Sequence, residues 1–506
     1  MDGETKNIFG TDRRIKLGIW GLGRGGNFVS CAKSLNIDVV AGCDFSPHIR
    51  GNFSRRFPDI PVTDNEDEFL KMDIDAVLVA TWFPGHAEHC IKALNAGKHV
   101  MCEVTSFMKP SEGVRLVEAV EKSGKVYNLL ENYPFAKMNM MARQLWQDGL
   151  FGEFVYAEYD YHHDCRTLQY TYIDSEPIEP GYELHNWRSW LNSHYYNTHS
   201  LGPVMQITGL RPVEVTAPVC TVQQPGVLYP GGPCISVIRM NNGGIMRNLM
   251  GNSSNDTHGR RIWGTKAAYD FSGDCTIRLG ASGHGRTYAV QPEWPELGEL
   301  ADTMGHGGGD FWELYYFARE ILTGEKAPWD IYSACDVCLA GIMSVRSQTL
   351  GGVPVKVPDF RDPAIREQYR NDDFVQDHFD PATALFPEGH DPAITGKFAG
   401  VMTKLIQAWK ITGTTLVRQV YDGMKIYPYL ANTDSRMAVI NDVRELIANL
   451  DHFAEAYREA RIIIDAYPDS LAAKMLLSEL AIGEEAKISD PETTRKELTD
   501  WLVTIR

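Results

Sequence analysis

Apolar residues along this chain change their period at about residue 135. Before it they fall in short continuous runs: Ile15, Leu17, Ile19 and Trp20, then residues 39–43, 75–80, 99–102 and 126–130. Runs of four to seven apolar residues between polar breaks predict strands buried on both faces. The stretches between them, such as 87–95 closed by Ala96-Gly97, predict helices. Strands alternating with helices at this spacing make a doubly wound parallel sheet, an α/β Rossmann arrangement. After it, residues 154–162, 213–222, 234–240, 245–252, 268–271 and 276–279 predict strands between polar or glycine turns. Asn241-Asn242-Gly243-Gly244 marks a hairpin. These strands predict an α+β domain with a mainly antiparallel, open-faced sheet. Helices follow at 310–323 and 332–348, the second expected to pack back on the first domain.

From Asp359 to Pro392 the chain is rich in Asp, Pro and charge, which predicts a linker wrapped on the surface. Beyond it Val443, Leu446, Ile447 and Leu450 fall at helical spacing, and another helix follows the break Tyr467-Pro468-Asp469-Ser470. The pair resembles one tetratricopeptide-like hairpin, but nothing repeats, so no solenoid is expected. The predicted domains are 1–134, 135–358 and a helical extension, 359–506. Self-association, a cover over the active site and a passive scaffold all remain open for that extension.

The 506 residues carry a net charge of −17. Binding phosphate backbones or anionic lipid needs clustered Lys and Arg, so neither nucleic acid nor membrane is an expected partner. No charged-then-apolar leader or long apolar run appears, and the ten cysteines have no framework spacing. Cys335 and Cys338 fall within a predicted helix and read as buried thiols. A cytoplasmic location is the expectation.

Candidate chemistry begins at the end of the first strand. Gly21, Gly23 and Gly26, with Arg24 among them, form a Gly-x-Gly-x-x-Gly turn leading into a helix. Such a turn lets backbone approach a pyrophosphate. The second strand ends in Asp44, placed about 20 residues further on, where a carboxylate holds a ribose 2′-hydroxyl and repels a 2′-phosphate. NAD rather than NADP is the predicted cofactor. Ligands bind outside the carboxyl ends of such strands, so Thr81, His86, Glu103 and Asn132 should meet Asp44 on one rim, with hydrogen bonding within the loops as the alternative role of His86 and Asn132.

Two aromatic clusters follow in the second domain. Strand alternation puts Tyr161 and His163 on one side, with Asp164 and Arg166 just beyond. In Trp187-Arg188…Tyr196-Asn197-Thr198-His199, a helical path puts Tyr196 and His199 on one face. His162, His163, Asp164, His194 and His199 include metal-ligand types, but none has a metal-site spacing, so acid–base work is favoured over metal.

Thr81…Pro84…His86, Ala93-Leu94-Asn95-Ala96-Gly97-Lys98-His99-Val100 and Glu103 resemble the glucose–fructose oxidoreductase and inositol dehydrogenase family over about residues 13–360. That family usually follows its Glu with Lys-Pro, whereas Val104-Thr105 stands here. Glu103-Val104, Tyr-x-His-Asp-x-Arg at 161–166, Tyr-x-Thr-His-x-Leu-Gly-Pro at 196–203 and Gly305-His306-Gly307-Gly308-Gly309-Asp310-Phe311 resemble one branch of it. This branch comprises NAD-dependent glycoside hydrolases typified by bacterial α-N-acetylgalactosaminidase. The resemblance implies oxidation of a sugar at C3 by NAD⁺, loss of the C2 proton, expulsion of the C1 group, addition of water and re-reduction. It implies His199 with Tyr196 at the C3 hydroxyl, and Tyr161 and His163 at the C2 proton and the leaving oxygen. Arg166, Trp187, Arg188 and His306 are the implied substrate contacts. Asp164 and Arg166 have the alternative of merely holding the strand end, and His306 that of facing the cofactor. A homo-oligomer with a carbohydrate substrate is expected. A conventional NAD-dependent sugar, glycoside or cyclitol dehydrogenase is the alternative, and a non-enzymatic sugar or nucleotide sensor the third reading.

Overall fold

The computed structural model describes residues 8–163, 167–169, 178, 186–222, 233–252, 258–280, 284–294, 297–376, 385–407, 416–485 and 488–505. The first sheet is parallel. Its strands are β1 (Ile15–Trp20), β2 (Ile37–Cys43), β3 (Val62–Thr63), β4 (Ala76–Val79), β5 (His99–Glu103) and β6 (Tyr127–Leu130). They lie in the order β3-β2-β1-β4-β5-β6. The reversal of direction at β1/β4 opens a crevice at the carboxyl ends, which is where ligands bind in such sheets. Every residue of β4 is buried, as expected for a strand covered on both faces.

The second sheet contains β7 (Phe154–His163), β8 (Pro212–Thr216), β9 (Cys234–Met240), β10 (Ile245–Asn252), β11 (Arg260–Gly264), β12 (Ala267–Asp270), β13 (Thr276–Leu279), β14 (Arg286–Ala289) and β15 (Val355–Lys356). Their order is β14-β13-β12-β11-β7-β10-β9-β8-β15. All pairs are antiparallel except β7 with β10, so the sheet is mainly antiparallel as the sequence predicts. In β9, Cys234, Ser236, Ile238 and Met240 are buried while Val237 and Arg239 are exposed. That alternation leaves one face open. Helices Thr198–Thr208 and Ile331–Thr349 cover the other, and the second also reaches helix Pro110–Ser123 and β6 of the first sheet. A single apolar core, running from Ile15 to Phe360, fills both interfaces. Cys335 and Cys338 are buried within helix Ile331–Thr349.

One strand is shorter than its apolar pattern suggests. The stretch 213–222 forms only Pro212–Thr216. Ala217 turns its N–H to the Ser347 hydroxyl, and Pro218 has no N–H to continue a ladder.

The linker beyond Asp359 is pinned rather than loose. Arg366 pairs with Glu121 at 2.8 Å, Arg370 with Glu118 at 2.6 Å, and Arg346 with Asp372 at 2.5 Å. Beyond it lie helices Phe398–Gln407, Leu416–Ile426, Thr433–Ala466, Leu471–Glu485 and Pro491–Thr504. They close around two apolar clusters, one holding Phe398, Met402, Ile463 and Leu476, the other Val420, Val443, Leu446, Leu450 and Leu498. Instead of one arm of a short hairpin, a single helix of 34 residues serves both clusters. Among the described residues no helix is long and apolar enough to cross a membrane.

The turn after β1 shows why its glycines differ. Gly21 has φ +96, and an added Cβ would strike the Ala80 carbonyl. At Gly23 an added Cβ meets nothing within 4 Å, because the position borders open space. A Cβ at Gly26 would lie 3.3 Å from the Phe53 ring, so that glycine serves close packing. Gly21→Ala should therefore cost at least about 2 kcal/mol in a denaturant melt. Gly23→Ala should leave stability within about 0.5 kcal/mol yet weaken NADH, titrated by its fluorescence, at least about ten-fold.

Candidate active site

The carboxyl ends of the parallel strands and the inner end of β7 enclose one cavity of about 580 Å³, within the range of small-molecule sites. Gly21, Gly23, Arg24, Asp44, Thr81, His86, Glu103 and Asn132 line it from the first domain. Tyr161, His163, Trp187, Arg188, Tyr196, His199 and His306 line it from the second. Gly26 lies just behind, against Phe53. Arg166, like Asp164, lies outside the described residues.

The dinucleotide end follows from the turn. The N–H groups of Leu22 and Ser46 donate to the two Asp44 carboxylate oxygens at 2.8 and 2.9 Å. Burial raises the Asp44 carboxyl, and these two donors oppose the rise. The helix predicted after the glycines forms as three short consecutive pieces, Leu22–Gly25, Gly26–Phe28 and Val29–Lys33. A bare Gly23 facing the cavity and a fixed carboxylate at the end of β2 fit a dinucleotide with an unmodified ribose.

Arg24 is spent on protein contacts. Its Nε lies 2.8 Å from Glu103, and its other nitrogens reach Asp310 at 2.7 and 2.9 Å. Asp310 opens helix Gly309–Thr323, just after the glycine-rich turn that carries His306. His306 Nδ1 is 3.0 Å from Asp310 and Asn132 Nδ2 3.4 Å. Burial works against the Asp310 charge, but Arg24 and His306 overcome it and hold the carboxyl well below its usual range. Glu313, one turn on, is buried and has no hydrogen-bond partner among the described residues. Burial, and after it the charges of Asp310 and Glu103, push its carboxyl far up.

The chemical end is built on Glu131, which the sequence places at the end of β6 without revealing its role. It is wholly buried, and both its oxygens meet His199 Nδ1, at 2.8 and 2.9 Å. Tyr133 N–H donates to the same carboxylate at 3.1 Å. Three tyrosine rings enclose the imidazole. Tyr133 stacks on it at 4.5 Å, while Tyr196 and Tyr161 meet it edge-on at 4.6 and 4.7 Å. Tyr161 and His163 do share a side, with ring centres 5.8 Å apart, and Tyr196 and His199 do share a face. The two pairs form one group, since Tyr161 packs directly on His199. Tyr133, like Glu131, is a site residue that sequence reasoning does not single out. A signal for both exists: a polar triplet, Glu131-Asn132-Tyr133, delivered by a buried strand to a ligand-binding rim. Trp187 packs on Tyr196 at 4.9 Å, and the Arg188 guanidinium covers Trp187 at 4.1 Å. His194 is buried away from the cavity, and among the described residues no group of His, Cys, Asp and Glu is arranged to hold a metal.

His86 stands apart from this group. Its ring nitrogens lie 2.8 Å from the Thr105 carbonyl and 2.9 Å from that of Thr81. Two acceptors require two N–H donors, so the buried ring is an imidazolium bridging two loops of the rim. Burial opposes the charge, but the Cys102 sulfur and the two carbonyls outweigh it and raise the pKa from 6.5 to about 9. His89, beside it, is lowered to about 4 by burial and by the His86 charge. Because the folded-state value of His86 is raised, its stabilisation is whole below pH 6.5 and lost as pH rises through about 9. Between those values the native protein should lose on the order of 2 kcal/mol more than His86→Asn does in matched melts. Equal pH slopes would contradict the imidazolium.

Comparison with known proteins gives this geometry its context. The family model for the oxidoreductase family, NAD-binding Rossmann fold, matches residues 15–130. The model for the C-terminal domain of glycosyl hydrolase 109 matches residues 287–366. A glycosyl hydrolase family 109 protein of Saccharopolyspora erythraea is 26% identical over 398 residues, covering 70% of this chain and 84% of that protein. An alpha-N-acetylgalactosaminidase of Tannerella forsythia is 27% identical over 350 residues, covering 59% of this chain and 74% of that one. Among solved structures, a levoglucosan dehydrogenase in complex with NADH and L-sorbose shares the fold. Its TM-score is 0.57 at 20% identity, covering 69% of this chain and all of that one, 100%. The chain thus matches an NAD-binding Rossmann domain at one end of this region and a glycosyl hydrolase 109 C-terminal domain at the other, and it is an enzyme of the glucose–fructose oxidoreductase and inositol dehydrogenase type.

Proposed function

We propose that the enzyme is an NAD-dependent glycoside hydrolase that works by transient oxidation of its sugar. The observation that carries this reading is the Glu131–His199 pair ringed by Tyr133, Tyr161 and Tyr196, in the same cavity as Asp44 and Gly23. Relatives named as glycosyl hydrolases and an alpha-N-acetylgalactosaminidase support a sugar glycoside as substrate. On this reading residues 1–134 hold the cofactor, 135–358 supply the substrate side, and 359–506 form the helical extension.

Bound NAD⁺ supplies a reversible hydride acceptor, so the overall reaction contains no net oxidation. The residues of the chain handle protons. With Nδ1 given to Glu131, His199 has Nε2 left to take the proton of the C3 hydroxyl, and the buried carboxylate stabilises the imidazolium that results. Tyr196 stands beside it. A ketone at C3 makes the C2 hydrogen acidic, and Tyr161 and His163 remove that proton and protonate the departing C1 oxygen. Water adds at C1, C2 regains a proton, and the ketone returns to the alcohol. Asp44 holds the adenosine ribose, and Gly21, Gly23, Thr81, His86, Glu103 and Asn132 shape the cofactor's seat. Trp187, Arg188 and His306 contact the sugar.

Ordinary glycosidases need two carboxylates flanking the scissile bond. Among the described residues the carboxylates lining the cavity are Asp44, Asp64, Glu66 and Glu103, of which Asp44 ends β2 and Glu103 is paired with Arg24, while Glu131 beneath His199 is engaged by that ring. Val104, buried on the cavity wall, occupies the place where the wider family usually has lysine, which disfavours a plain dehydrogenase.

Incubating the protein with nitrophenyl α- and β-glycosides, while following nitrophenol and NADH together, tests the reading. Nitrophenol release at catalytic NAD⁺ without NADH build-up is the expected result. Stoichiometric NADH without nitrophenol would make the protein a dehydrogenase. His199→Ala should lower turnover at least about a thousand-fold while NADH still binds.

A further inference from the structure

Gln376, beyond the segments matched by either family model, is buried beneath the turn that carries Trp187, Arg188 and Tyr196. Its side-chain oxygen accepts the Asn192 N–H at 2.6 Å, and its amide nitrogen donates to the Trp190 carbonyl at 3.0 Å. Its backbone N–H donates to the Tyr195 hydroxyl, also at 3.0 Å. One residue thus joins three points, Trp190, Asn192 and Tyr195, of the stretch 187–196, whose regular structure is two short 3-10 turns at Trp187–Ser189 and Ser193–Tyr196. Cavity residues flank the three points on either side.

Gln376 is itself held. Asp373 accepts from the Ser111 hydroxyl at 2.5 Å, and the Asp372 carbonyl accepts the Ser111 N–H at 3.0 Å. The Asp372 carboxylate is paired with Arg346. The anchor therefore runs to helices Pro110–Ser123 and Ile331–Thr349, the frame shared by both sheets. A second contact reaches the same end of the cavity. The turn Thr167–Gln169, whose Leu168 lines the cavity, lies against helix Phe398–Gln407, which packs on the long helix Thr433–Ala466.

We propose that the C-terminal extension is a working part of the substrate end of the site. Gln376 is a positioning residue that fixes the turn bearing Trp187, Arg188 and Tyr196, and helix Phe398–Gln407 backs the wall at Leu168. The extension shapes the sugar end, whereas the dinucleotide end is built by the first domain and the His306 turn. This rests on reading the Tyr/His end of the cavity as the sugar end. It answers which of the three open roles the extension has: it completes the site rather than serving as a scaffold.

The test compares full-length Gln376→Leu and Gln376→Glu with Arg370→Ala. Arg370 lies in the same segment, paired with Glu118 and Glu367 and away from the turn. Hydrogen exchange by mass spectrometry is read over residues 186–197 and over 15–43, alongside NADH titration and turnover of the nitrophenyl glycoside. Gln376→Leu should speed exchange in 186–197 about ten-fold, leave 15–43 and NADH affinity within about two-fold, and raise KM more than it lowers kcat. Gln376→Glu keeps the acceptor for Asn192 and loses the donor to Trp190, so it should fall between. Unchanged exchange in 186–197 would overturn the proposal. So would equal acceleration in 15–43, or the same effect from Arg370→Ala, since either would make the extension a general support. If the native protein builds up NADH without releasing nitrophenol, the hydrolase reading fails, while exchange and NADH titration still decide the role of Gln376.

Discussion

The Glu131 carboxylate leaves the last strand of the parallel sheet with no access to water, and the site is arranged around satisfying it. A charge taken out of water costs several kcal/mol unless it is paired and hydrogen-bonded. His199 Nδ1 and the Tyr133 N–H meet that demand. The demand reaches into the sequence nearby. An added Cβ at Gly202 would sit 3.3 Å from the Glu131 side chain, so the glycine of Leu201-Gly202-Pro203 makes room for the carboxylate under the helix that carries His199. Since Glu131 belongs to the first sheet and His199 to the second domain, their contact also fixes how the two halves of the cavity face each other. The three tyrosines then stand around an imidazole whose orientation is set from beneath.

Arg24 plays the matching part at the cofactor end. It sits in the glycine turn, yet its guanidinium bridges Glu103 on β5 and Asp310 at the head of helix Gly309–Thr323. A bidentate ion pair of this kind is directional as well as strong. It brings the His306 turn to the wall of the cavity that the glycine turn also lines. Two buried carboxylates, Glu131 and Asp310, thus tie the two halves of the cavity together.

Much of this is legible in the residues alone because it is local. A buried apolar run, a glycine turn and an acid at the end of the next strand define the Rossmann half without tertiary information, and the strand period defines the open-faced sheet. Tyr161 with His163, and Tyr196 with His199, follow from period and pitch. Their fusion into one group does not, because Tyr161 and His199 meet only when β7 and helix Thr198–Thr208 pack. Glu131 and Tyr133 are hidden for the same reason, since nothing in Glu131-Asn132-Tyr133 says which member turns inward. The stretch 213–222 reads as a strand by composition, but a side-chain hydroxyl and a proline end it at Thr216. Gln376 is the extreme case: its partners are more than 180 residues away in sequence, and no periodicity carries such a contact.

The central claim is that the sugar passes through a state in which its C2 hydrogen is lost to the protein and replaced from water. Hydrolysis of a nitrophenyl glycoside in D₂O, with the released sugar analysed by NMR, tests this directly. The account predicts a single deuterium at C2 and hydrogen retained at C3. A released sugar with its C2 hydrogen intact would mean that the C1 bond breaks without elimination, and would contradict proton removal by Tyr161 and His163 after oxidation at the His199–Glu131 pair.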